Sequence, residues 1–251
     1  MAKVKGGFTL VEVSLFLAIT GLLFLGVTIG VQNSIFQQRY NDSVQNFVEF
    51  LRSAYAKTEN VQSAGTGDSV QAIYGKLITF GEEGSFNDPY NNPENEIFMY
   101  DVIGLAKCKG SFDGTLDALK ACGAEVVKKE GGETKTIGLA ESYKPRWSAA
   151  IQTIDYKPFK GAILITRHPQ SGTIYTFTMT GSTVEINNGS GTLSKALDSF
   201  KSDQEDLDFC VNPNGNVESG TRADVRIDKG ARNSAGVEVM PDDENNCMNR
   251  G

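Results

Sequence analysis

The balance of apolar and polar positions changes twice along the chain. Residues 8–31 read FTLVEVSLFLAITGLLFLGVTIGV, and no residue from Val13 to Val31 is charged. A helix needs about 20 apolar residues to cross a bilayer, so this block has the length of a span. Its one charge is Glu12, just inside the start. A carboxylate within a span costs at least about 2.5 kcal/mol on insertion scales, so a retained one points to function. Ahead of the block stands the short basic leader MAKVKGG.

Residues 32–62 keep a helical rhythm with a different composition. Ile35, Val44, Phe47, Val48, Leu51, Ala54, Tyr55 and Thr58 recur at steps of three and four. Polar residues fill most of the remaining positions, which predicts an amphipathic helix with one core-facing stripe. One helix over 8–61 would be about 80 Å long at 1.5 Å per residue. Small and flexible residues, QSAGTGD at 62–68, end it.

Beyond that point the period shortens to two. Short apolar runs at 76–80 and 97–103 predict strands around an acidic, Asn- and Pro-rich loop, 82–96. The loop's oxygen ligands lack EF-hand spacing, so it reads as solvated rather than as a calcium site. A short helix is expected within 113–121, and KKEGGETK at 128–135 reads as a charged turn. Runs at 162–166 and 173–179 predict a hairpin, with Tyr175, Phe177 and Met179 on one face and Ile174, Thr176 and Thr178 on the other. His168, the one histidine, lies in its turn and is expected to be exposed. Runs at 209–211, 223–227 and 236–240 complete the strands, and NPNG at 212–215 is a turn signal. Trp147, the one tryptophan, is expected in the core, with a partner-binding role as the alternative.

The formal charge is −7 and becomes −9 if Lys3 and Lys5 are removed with the leader. That balance argues against general nucleic-acid binding, which depends on neutralising phosphates. Arg222, Arg226, Lys229 and Arg232 form a possible basic strip, but Asp224 and Asp228 are interleaved with it. The 27 glycines suit strands and turns better than a helical bundle.

Four cysteines, Cys108, Cys122, Cys210 and Cys247, permit three pairings. Loop closure favours Cys108–Cys122 and Cys210–Cys247, worth about 3 and 4 kcal/mol in the chain-entropy model. The alternative is four free thiols. No Cys-x-x-Cys spacing suggests a metal, and no cofactor motif is present. Nor does the sequence contain Gly-x-Ser-x-Gly, His-Glu-x-x-His or a convincing context for a histidine-based triad, so no enzyme is expected.

The residues Gly7-Phe8-Thr9-Leu10-Val11-Glu12 resemble the processing site of type IV pilins and of the pilin-like proteins of type II secretion. The resemblance spans about the first 60 residues. It implies that a prepilin peptidase cuts between Gly7 and Phe8, that Phe8 is then N-methylated, and that Glu12 is the assembly glutamate. Gly21 matches a glycine common in the family's helix. Ile29 stands where major pilins often carry a helix-breaking proline, which points to a minor pilin or a pseudopilin. The strand–turn–strand pattern with Cys210, Arg222, Arg226 and Val237 loosely resembles the C-terminal half of minor pseudopilins of the H type.

The expected fold is therefore α+β and pilin-like: a long N-terminal helix, transmembrane in its first half, packed on an antiparallel β-sheet head. The expected divisions are a leader (1–7), the helix (8–62, with the span at 8–31) and an extracytoplasmic head (63–251). The expected function is that of a structural subunit of a type IV pilus or related filament, in systems that serve adhesion, twitching motility or type II secretion. The implied partners are prepilin peptidase, other pilin subunits and, before assembly, the inner membrane; DNA is not expected. The implied location is the cytoplasmic membrane first, then a surface pilus or an envelope pseudopilus. The alternative is a membrane-anchored receptor or enzyme whose head acts outside any fibre. An ordinary signal peptide fits less well, because its apolar region spans only about 7–15 residues and its cleavage site follows that region.

Overall fold

The computed structural model describes residues 9–59, 63–64, 71–80, 96–105, 115–121, 125–127, 141–147, 149–168, 171–181, 197–201, 205–213 and 222–247. Gly7, Phe8, Cys108, Cys122, the charged turn at 128–135 and most of the acidic loop lie outside them. So do most of the segment expected to end the helix and part of the NPNG turn.

Helix α1 runs over Leu10–Glu59, 50 residues without interruption. The chain divides into two compact units, Met1–Asp42 and Ser43–Gly251, so the division falls within α1. In the first unit every residue from Thr9 to Val27 is exposed. Leu10–Thr28 is long and apolar enough to cross a bilayer. Ser14, Thr20 and Thr28 donate their hydroxyls to the carbonyls of Leu10, Phe16 and Phe24, one turn back. Their polar atoms are thereby satisfied within the helix, as a hydrocarbon environment demands. Ile35 departs from the expected stripe. It is 42% exposed and belongs to this first unit, not to the unit whose core it was expected to join.

In the second unit α1 carries a buried face made of Ser43, Val44, Phe47, Val48, Leu51, Ala54, Tyr55 and Thr58. The three- and four-residue spacing puts these side chains on one side. Burial of each large one contributes about 1.5–3 kcal/mol.

The strands are β1 (Ser63–Ala64), β2 (Gln71–Phe80), β3 (Ile97–Leu105), β4 (Glu125–Val127), β5 (Glu141–Tyr143), β6 (Ala150–Gln152), β7 (Gly161–Arg167), β8 (Ile174–Thr180), β9 (Leu207–Asn212), β10 (Ala223–Ile227) and β11 (Val237–Val239). A short helix, α2, covers Leu116–Ala121. Among the described residues, one sheet has the order β4-β3-β2-β7-β8, with β1 against β2 and β5 against β3; a second has the order β11-β10-β9-β6. All of these pairings are antiparallel. The described architecture is thus α+β, with an apolar N-terminal helix and two antiparallel sheets.

The larger sheet is covered on both faces. Leu77, Tyr100, Leu164 and Phe177 share one face through their register and pack with Leu119 of α2, Leu197 and Phe200. On the other face the Tyr55 hydroxyl meets Thr176 Oγ1 at 3.1 Å, and Thr176 donates to the Ala231 carbonyl at 2.8 Å. The expected alternation along β8 holds, and both of its faces are covered. Ile174 and Thr176 are as buried as Phe177 and Met179. Double coverage also explains why β7, GAILITR, is apolar almost throughout instead of alternating. Phe209 joins the two sheets. It lies edge-on to Phe47 at 5.5 Å and stacks on Phe80 of β2 at 5.2 Å. Arg52 adds two hydrogen bonds from α1 to the Val237 carbonyl on β11, at 3.1 and 2.8 Å.

Three further expectations change. Trp147 is not in the core but 51% exposed. Its backbone is left-handed, with φ 58°, and the turn it occupies is closed by the Ala149 N–H to the Arg146 carbonyl. That turn directs the ring outward. The last strand is shorter than expected, because Ser234–Gly236 forms a 3-10 turn and only Val237–Val239 pairs with β10. His168 is half-buried, and its Nδ1 accepts the Ser171 N–H at 3.1 Å.

Candidate functional site

The start of α1 is built by Thr9 and Glu12. Oε2 of Glu12 accepts both the backbone N–H and the hydroxyl of Thr9, each at 2.9 Å. In return Thr9 Oγ1 accepts the Glu12 N–H at 3.3 Å. This is a reciprocal capping box of the form Thr-x-x-Glu. It satisfies donors that a helix otherwise leaves open at its N-terminus. The Thr-x-x-Glu spacing is legible in the sequence, yet reading Glu12 only as an isolated charge overlooks it. Glu12 is consequently a carboxylate held in place at the mouth of an apolar, exposed helix. Phe8 and Gly7, the expected processing residues, lie outside the described residues.

A second polar cluster lies in the head and was not anticipated. Cys210 and Cys247 are joined by a disulfide, with Cα atoms 5.6 Å apart. The expected Cys108–Cys122 pair lies outside the described residues. Directly across from Cys210 in the register is Asp224, which is fully buried. Its Oδ2 accepts the Asn246 N–H at 3.0 Å, while Oδ1 has no hydrogen-bond partner. Arg226 bonds Asp208 at 2.7 Å and reaches Asp224 at 3.8 Å. Asn246 Nδ2 also donates to Asp208, at 2.6 Å. Burial, reinforced by the neighbouring Asp208 charge, pushes the Asp224 carboxyl up to about 6. Asn246 and Arg226 act against that shift but do not cancel it.

Arg222 is buried as well, which removes it from the expected basic strip. It donates to the carbonyls of Thr153 at 3.3 Å, Ile154 at 3.2 Å and Cys247 at 2.5 Å. Its guanidinium lies 3.5 Å from the centre of the Tyr156 ring. Asn245 completes the clasp by donating to the Arg222 carbonyl at 2.8 Å and accepting the Cys247 N–H at 2.8 Å. A planar guanidinium suits this task because its donors fork toward several carbonyls at once. The cluster fastens the C-terminal segment to β9, β10 and the 153–157 turn. Within it Arg226 is paired with Asp208 and Asp224, whereas Arg222 is held by carbonyls and the Tyr156 ring. Among the described residues no group of three His, Cys, Asp or Glu is placed to hold a metal ion.

No protein-family model, no curated protein and no solved structure matches this chain.

Proposed function

We propose that the chain is a subunit of a type IV pilus or a related pilin-like filament, in the role of a minor pilin or a pseudopilin. A prepilin peptidase cuts after Gly7, Phe8 is methylated, and the apolar part of α1 packs among the helices of neighbouring subunits. The observation that carries this reading is Glu12. It is the one acidic residue at the start of the apolar stretch of α1, where every residue from Thr9 to Val27 is exposed, five positions beyond a Gly–Phe junction that resembles the family's cleavage site. A plain anchor needs neither the junction nor the carboxylate.

In this mechanism the membrane stores the subunit before assembly, and the exposed helix leaves lipid for a bundle of like helices. The amine of Phe8 is then a cation close to the start of α1. Two charges withdrawn from water are costly apart and recover much of that cost together. Glu12 of an incoming subunit therefore pairs with the Phe8 amine of a neighbour, and a slip of one helical turn would separate the two. The Thr9 bonds hold the carboxylate in position until that partner arrives. Mass spectrometry of the protein from its native cells tests the processing. The chain should begin at Phe8 and carry one added methyl group; an unprocessed Met1 terminus beside an active prepilin peptidase would contradict the reading.

A further inference from the structure

The second sheet has an apolar face and a polar face, and the polar one is covered. Val225 and Ile227 of β10, Phe209 and Val211 of β9 and Val237 of β11 are buried on the first face through their register. Side chains alternate along a strand, so Asp224 and Arg226 of β10, Asp208 and Cys210 of β9 and Glu238 of β11 stand on the second. The polar face of an antiparallel sheet commonly meets water. Here residues 241–247 lie across it as a strap. One end is fixed by the Met240 N–H to the Asp224 carbonyl at 2.8 Å, the other by the Cys210–Cys247 disulfide. In between, Asn246 donates its N–H to Asp224 Oδ2 at 3.0 Å and its side-chain amide to Asp208 Oδ2 at 2.6 Å. Two buried side-chain atoms among the described residues lack a hydrogen-bond partner, Asp224 Oδ1 and Arg222 Nε, and both belong to residues that bond the strap.

We infer that this strap is a pH-sensitive closure over the polar face of the second sheet, shut in acid while Asp224 is protonated and opening locally as the medium becomes less acidic. A buried carboxylate oxygen without a partner is tolerable when protonated and costly when charged. The surrounding charges leave that cost in place. Arg226 is shared between Asp208 at 2.7 Å and Asp224 at 3.8 Å, so two carboxylates draw on one guanidinium. Asp206 adds a further negative charge near Arg226, and Glu238 stands opposite Arg226 on β11. The strap itself brings Asp242, Asp243 and Glu244, all exposed. Arg222 is turned to three carbonyls and the Tyr156 ring. Lifting the strap lets water reach Asp224 Oδ1. Within the strap only Asn245 and Cys247 are buried, so opening uncovers little apolar surface, as local opening requires. Both ends stay tethered, and the segment therefore lifts as a loop. With the strap shut, burial and the neighbouring Asp208 push the Asp224 carboxyl up from 3.8 to about 6. The shut form thus binds the proton more tightly than the open one, and closure weakens as pH rises between those values and levels off above about 6.

Amide hydrogen exchange of the full chain in detergent, read as protection factors so that the intrinsic pH dependence of exchange is divided out, tests this. The Asn246 and Cys247 amides, which bond Asp224 Oδ2 and Asn245 Oδ1, are the reporters, and β7 amides serve as the reference for global unfolding. Protection of the reporters should fall by up to about a hundredfold between about pH 4 and about pH 7, with most of the fall below about pH 6. It should stay below that of β7 throughout, since opening is local. In Asp224→Asn, which keeps the size and removes the charge, reporter protection should hold its acid value across the range. Asp208→Asn leaves Arg226 to Asp224 alone and should shrink the fall; it decides the matter if Asp224→Asn does not fold. Reporter protection that does not change with pH overturns the inference. So does reporter protection equal to that of β7 at every pH, because the strap would then leave only by global unfolding. A parent-like fall in Asp224→Asn, or in Asp208→Asn, overturns it as well.

Discussion

Single residues decide how much of this chain's charge is usable. Thr9 and Glu12 show a short-range device that holds a carboxylate beside a stretch apolar enough to cross a bilayer. Replacing an N-cap threonine by alanine typically costs about 1 kcal/mol. Thr9→Ala in detergent-solubilised chain should therefore speed amide exchange at Leu10–Glu12 and leave exchange at 43–59 unchanged; equal protection in both proteins would show that the cap contributes nothing. Asp224 makes a prediction with a definite sign. Its folded carboxyl is pushed up to about 6 from 3.8, so between those values the folded state holds the proton more tightly than the unfolded one. Its contribution is most favourable at the acidic end and is lost as pH rises through about 6. Asp224→Asn should match the parent's melting temperature near the acidic end and exceed it increasingly up to about pH 6, with no further divergence above. Thermal melts across that range check this, and a constant difference would contradict it. Arg222 teaches the opposite lesson about sequence. In the chain it looks like one of four spaced cations, but only the fold reveals three carbonyls and a ring converging on it. Trp147 misleads likewise, because its aromatic character suggests burial while a left-handed turn turns it outward.

Among the elements, the head portion of α1 was the most legible. Val44, Phe47, Val48, Leu51, Ala54, Tyr55 and Thr58 all fall on the buried face that their spacing predicts. Ser43 joins them unannounced, since a serine gives no apolar signal and is buried here by its bond to the Arg146 carbonyl. The strands were legible as apolar runs but not in their full length. β2 begins at Gln71, five residues before its apolar run, and its register shifts between Ile73 and Gly75. Gly75 has a reason to be glycine. A Cβ there would lie 1.9 Å from the Ile165 carbonyl oxygen, which is backbone and cannot step aside. Gly75→Ala should thus force β2 and β7 apart, with loss of several kcal/mol of stability or of soluble folded protein altogether. Thermal melting or folding yield measures this; a near-native melt would mean that the strands can separate at little cost. The Cys210–Cys247 bridge was legible because sequence separation favoured the local pairing over crossed ones. It closes a loop with a separation of 37 residues, for which the chain-entropy model gives about 4 kcal/mol. Cys247→Ser should lower the unfolding free energy by a few kcal/mol and expose the C-terminal segment to protease, while unchanged stability and proteolysis would show that the hydrogen-bonded clasp suffices alone.

At the scale of the whole molecule, two units of different chemistry share one helix. The first is an apolar surface with a single carboxylate at its start, and the second is a disulfide-fastened α+β head. On the proposed reading, the exposed apolar stretch of α1 and its fixed carboxylate serve assembly. The central claim is that Glu12 directs this chain into a fibre. The most direct measurement is the amount of the chain in mechanically sheared surface fibres, or in isolated pseudopili, relative to the membrane fraction. It is made for the parent, Glu12→Ala and Glu12→Gln, with cleavage after Gly7 monitored in each. Both variants should insert and be cleaved as the parent is, yet be depleted from fibres, because glutamine keeps the size but not the charge that pairs with the Phe8 amine. If both enter fibres at the parent's level, or if the parent itself is found only in the membrane, the claim is contradicted.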